Sequence, residues 1–105
     1  MITDNRQQST DKGFSIIISV HNQAHEVEHH LPLFLKLQSS LPYEVIVVDD
    51  ASGAEALAEV EKLHDEFDFH LYCIDRHTAG AARNEGLRHA CGRWLIFADA
   101  DDFFN

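Results

Sequence analysis

The feature that most limits how this chain can fold is an alternation of two periodicities. Nearly continuous β-branched and aromatic runs stand at 14–20 (FSIIISV), 44–50 (EVIVVDD), 69–75 (FHLYCID) and 93–99 (RWLIFAD). Such runs suit strands covered on both faces. Between them lie stretches with helical spacing, so the order is β-α-β-α-β-α-β with short connections. That order implies parallel pairing and right-handed crossovers. The expected fold class is α/β: an open, mostly parallel, doubly wound sheet of Rossmann-like type, of which 105 residues supply a truncated half-domain.

In 22–40, Val27, Leu31, Phe34, Leu35 and Gln38 keep a 3.6-residue period. Pro32 either kinks that helix or opens a second one at its first position. The next helix begins at SGAE, where Ser52 and Glu55 form a capping-box pattern, and runs through Leu57, Val60, Leu63 and Phe67. The third occupies 78–92, with Thr78 placed to cap its start and Gly92 its end. Residues 1–13 are polar and are expected to form a flexible tail.

In open parallel sheets, ligands gather beyond the carboxyl ends of the strands. Those ends carry Ser19-Val20-His21-Asn22, Asp49-Asp50-Ala51-Ser52, Asp75-Arg76 and Asp99-Ala100-Asp101-Asp102. Aspartates as close as Asp99, Asp101 and Asp102 repel one another unless a cation sits among them. A hard divalent ion such as Mg²⁺ or Mn²⁺ prefers carboxylate oxygens and keeps positions for substrate phosphates. A DxD after a buried strand therefore suggests a metal bridging protein and diphosphate; the plainer alternative is an acidic loop with one helix cap.

At Asp49-Asp50, a strand-terminal acid suits a nucleotide's ribose or base. One of the pair could instead cap the following helix, but Ser52 can do that, so at least one aspartate is expected to be free. In TAGAARNEG (78–86) the helix start attracts anions and Arg83 adds charge. Ala81 and Ala82 are expected to pack on the sheet, and Arg83 and Asn84 to face polar partners. His21, His25 and His29 recur at i, i+4, i+8, a possible metal stripe. With Glu26, Glu28 and His30 around them, a solvated helix face is the better reading.

Eighteen acidic against eight basic residues give a net charge of −10, which argues against a nucleic-acid partner. Cys73 and Cys91 have no CxxC spacing and read as buried, reduced thiols. The first residues lack the apolar core of a signal peptide, and no run approaches a membrane span. The expected location is cytoplasmic, with peripheral membrane attachment left open.

The stretches SIIISVHNQ (15–23), YEVIVVDDAS (43–52) and AGAARNEGLRHACGRWLIFADADD (79–102), in this order and spacing, resemble the amino-terminal half of family 2 glycosyltransferases with the GT-A fold. The resemblance covers essentially all of 14–105. It implies a nucleotide-diphospho-sugar donor, most often a UDP-sugar, with Mg²⁺ or Mn²⁺ as cofactor and inversion at the anomeric carbon. By position it implies that Ser19, His21 and Asn22 line the nucleotide, that Asp50 contacts the base, and that Arg83 and Asn84 border the pocket. Asp99 would lie near ribose and metal, and Asp101 would ligate the metal. Ser19 stands where the family usually has proline or threonine, His21 where it has tyrosine, and Gln23 where it has glutamate. These departures leave the base open and do not touch the metal site. The family's acceptor half and catalytic base lie downstream of the DxD, so both are expected beyond Asn105. On this reading 14–105 is the donor-binding segment of an enzyme.

Two alternatives come from other classes. A signalling receiver also carries an acidic pair and a lone acid at strand ends, but needs a lysine after a fifth strand, and Lys12, Lys36 and Lys62 all precede Asp99. A catalytically silent interaction domain would associate with itself through an exposed sheet edge.

Overall fold

The computed structural model describes residues 2–4, 13–22, 24–35 and 42–99. Its elements are β1 (Ile2–Asp4), β2 (Phe14–Val20), α1 (Ala24–Leu35), β3 (Tyr43–Asp50), α2 (Ala54–Glu66), β4 (His70–Ile74), α3 (Ala79–His89) and β5 (Trp94–Asp99). The sheet order is β1-β5-β2-β3-β4. β5, β2, β3 and β4 pair in parallel, and β1 pairs with β5 antiparallel. This is the expected open, mostly parallel α/β sheet. Ile2–Asp4, expected as part of a polar tail, instead add an edge strand, because the outer rim of β5 offers a row of unpaired backbone groups.

Alternate residues of the central strands feed two separate cores, as the two-residue strand period requires. Ile16, Ile18 and Val20 of β2 join Val45 and Val47 of β3 with Val27 and Leu31 of α1 and Val60 and Leu63 of α2. Ile17, Ile46, Val48 and Leu95 join Ala82, and Leu87 of α3 packs against them. Helices α1 and α2 therefore cover one face and α3 the other. Gly86 lets α3 sit close: a Cβ there would lie 2.3 Å from Ile17 Cγ2.

Local details depart from expectation where tertiary partners compete. Helix α1 runs through Pro32 as one element. Helix α2 starts at an N-cap Gly53 with no side-chain cap, because the Ser52 hydroxyl instead accepts the Asn22 N–H. Thr78 caps α3 as expected, accepting the Ala81 N–H at 3.2 Å. Gly92 does not end that helix, which stops at the C-cap Ala90; a Cβ on Gly92 would fall 2.5 Å from the Phe14 carbonyl carbon. Both cysteines are free and exposed rather than buried: Cys73 lies on the edge strand β4 and Cys91 in the connection to β5. At the amino end of the sheet, Ser15 and the Cys91 N–H both donate to Glu44 Oε2.

Candidate functional site

Every βα turn at the carboxyl end of the sheet that leads into a helix contains a left-handed residue: Asn22 (φ 53°), Ala51 (φ 60°) and His77 (φ 61°). None is glycine, so each carries backbone strain, which collects at functional sites. Three strand tips meet beside these turns. Ser19 of β2 is in register with Val48 of β3 and with Asp99 of β5, so Ser19, Asp50 and Asp99 lie within the last two residues of the neighbouring strands β2, β3 and β5.

Asp50 is 5% exposed. Its Oδ1 accepts the N–H groups of Arg76 and His77 at 2.7 and 2.9 Å, and its Oδ2 that of Thr78 at 2.9 Å. Three consecutive amides that converge on one carboxylate form an anion nest. Burial pushes the Asp50 carboxyl up, but the N–H groups of Arg76, His77 and Thr78, with His77 nearby, outweigh it and hold the group below its ordinary range. The anion-binding backbone ahead of α3 is thus filled by the protein's own carboxylate. A carboxylate offers about four acceptor positions; one remains on Oδ2 for a further donor.

Asp49 points to the other face. Its Oδ1 accepts the Ser52 N–H at 3.1 Å, and its buried Oδ2 has no hydrogen-bond partner among the described residues. Neither aspartate caps α2: Asp49 holds the turn that follows β3, and the Asp50 carboxylate is committed to the turn at 76–78. Burial, then Asp49 and Glu61, raise the pKa of the Cys73 thiol on the adjacent strand.

His21 and Asn22 join the first two turns. His21 Nδ1 lies 2.7 Å from the Asp50 carbonyl oxygen, and the Gly53 N–H donates to Asn22 Oδ1 at 2.7 Å. His21 sits before α1, apart from the His25–His29 pair, whose exposed rings meet edge to face. Arg83 and Asn84 are exposed on the second turn of α3, with no polar partner among the described residues. The side chain of Asp99, and Asp101, Asp102 and Gln23 entirely, lie outside the described residues. Among the described residues no cluster of His, Cys, Asp or Glu could hold a metal, and no helix is long and apolar enough to cross a membrane.

Asp50 and Asp99 end strands β3 and β5 where the sequence expected strand ends, but the sequence missed the turn 76–78 as the partner of Asp50. Its only signal was the polar run DRHT ahead of α3.

Comparison with known proteins bears on this geometry. The family model described as glycosyl transferase family 2 matches residues 15–105. The Staphylococcus aureus protein named poly(ribitol-phosphate) beta-N-acetylglucosaminyltransferase TarS is 30% identical over 95 residues, which are 88% of this chain and 17% of that protein. The crystal structure of its residues 1–349 in complex with UDP-GlcNAc superposes with a TM-score of 0.69 at 29% identity, covering 85% of this chain and 26% of that one. A mannosyltransferase from Pyrobaculum calidifontis, in complex with GDP-Man and Mn²⁺, gives 0.68 at 25% identity, covering 89% and 30%. The chain thus spans less than a third of each of these relatives and solved chains.

Proposed function

The chain belongs to glycosyl transferase family 2, and from that premise we propose that residues 14–105 bind the nucleotide-diphosphate part of a sugar donor, a UDP-sugar, for inverting transfer to an acceptor hydroxyl. The support is the register that brings Ser19, Asp50 and Asp99 to the carboxyl tips of β2, β3 and β5, beside the strained turns. Ser19, His21 and Asn22 would border the nucleotide, and Asp50 would use its remaining acceptor position on a base or ribose donor. Arg83 and Asn84, exposed on α3, are available to polar groups of the ligand.

Asp99 and Asp101 would hold Mg²⁺ or Mn²⁺; carboxylates are the donors these ions prefer. What such an ion supplies when bound is neutralisation of charge on a diphosphate leaving group. Asp50 cannot stand in for them, because its charge is already committed to the nest at 76–78. No residue of 14–105 is proposed as the base that deprotonates the acceptor; the role proposed for these residues is to bind and orient the donor. A cytoplasmic site, where nucleotide-sugars are supplied, fits this role.

Calorimetric titration of the chain with UDP, with and without Mn²⁺, tests the reading. Binding that needs Mn²⁺ and is lost in Asp101→Ala is the expected outcome. Metal-independent binding that survives the substitution would remove the metal assignment.

A further inference from the structure

The geometry points to His21 as a positioning residue that, in its Nδ1–H tautomer, clamps the β2–α1 turn to the tip of β3. The inference rests on the donor-site reading and assigns His21 a role through other residues.

The hydrogen bonds fix the tautomer in one direction. An amide N–H can only donate, so the 2.7 Å contact from Gly53 N makes the facing atom of Asn22 its Oδ1. The Asn22 Nδ2 is thereby turned to His21 Nε2, at 3.3 Å. That nitrogen of Asn22 can only donate, so Nε2 must present a lone pair. The hydrogen of the ring then sits on Nδ1, where it donates to the Asp50 carbonyl oxygen at 2.7 Å. Each donor finds an acceptor, and reversing any one bond leaves two donors or two acceptors face to face.

The clamp spans a strained turn. Asn22 holds a left-handed backbone at φ 53°, and its own N–H donates to Ser52 Oγ at 2.8 Å. Turn β2–α1 is thus tied at His21 and Asn22 to three points of the next turn: the Asp50 carbonyl, the Ser52 hydroxyl and the Gly53 N–H. Since Asp50 also fixes 76–78, His21 is the member of this set that ties the first turn directly to the residue holding the third.

An asparagine amide nitrogen stands close to where Nδ1 stands in histidine, and a glutamine amide group close to Nε2. His21→Asn can therefore keep the bond to the Asp50 carbonyl, whereas His21→Gln and His21→Phe lose it. Long-range ¹H–¹⁵N correlation on the 105-residue chain reads the tautomer, and titration with UDP and Mn²⁺ reads the site. Expected are a protonated Nδ1 and an unprotonated Nε2. UDP affinity should fall about tenfold for His21→Gln and His21→Phe and markedly less for His21→Asn. An Nε2–H tautomer, an undiminished affinity in His21→Phe, or equal losses in the asparagine and glutamine variants would overturn the assignment. Failure of the wild-type chain to bind UDP at all would sink the donor-site reading instead, while the tautomer still decides the clamp.

Discussion

The Asp50 carboxylate, at the end of β3, accepts the backbone N–H of Thr78, the residue that caps α3, at 2.9 Å. With Arg76 and His77 bound to its other oxygen, one side chain fastens the turn between β4 and α3. Asp50→Asn removes the charge and turns an amide donor towards those N–H groups. We expect a loss of about 2–4 kcal/mol in urea unfolding, since bonds to a charged group are the strong ones.

The same carboxylate makes stability depend on acid. Its folded pKa is lowered, so its contribution is fully present above the unfolded value of about 4 and is lost as pH falls through the folded value. The gap between wild type and Asp50→Asn should be constant above about pH 5 and shrink steadily below about pH 4. Unfolding midpoints across that range measure it.

Ala51 sits at φ 60°, a conformation that costs an L residue about 1–2 kcal/mol. Ala51→Gly relieves that strain, and the greater freedom of glycine in the unfolded chain offsets part of the gain. A net stabilisation of about 0.5 kcal/mol should appear as a higher urea midpoint with an unchanged slope.

Gly86 is where α3 touches the sheet, with Ile17 Cγ2 only 2.3 Å from the place a Cβ would take. Gly86→Ala should destabilise by about 1–3 kcal/mol despite alanine's better helix propensity, because the added methyl must push helix and sheet apart. Restoring space with Ile17→Val should recover part of the loss in the double variant.

What the sequence revealed was set locally or by burial. The runs around Ile17, Val47 and Ile96 read as strands because a strand covered on both faces is apolar throughout. Thr78 read as a cap because its partner, Ala81, is three residues away. Ser52 misled because the Asn22 N–H, 30 residues distant, takes its hydroxyl. Asp50 likewise finds its amides 26 to 28 residues further on, a pairing no local pattern carries. Burial of Cys73 failed for a topological reason: β4 is an edge strand, which a single chain reading cannot distinguish from a central one.

The central claim is that the carboxyl tips of β2, β3 and β5 form one nucleotide site. Amide chemical-shift mapping during titration with UDP and Mn²⁺ tests it most directly. The expected result is that shifts concentrate at Ser19–Asn22, Asp50–Gly53, 76–84 and Asp99. Shifts gathered instead around Ser15, Glu44 and Cys91, at the opposite end of the sheet, would contradict it.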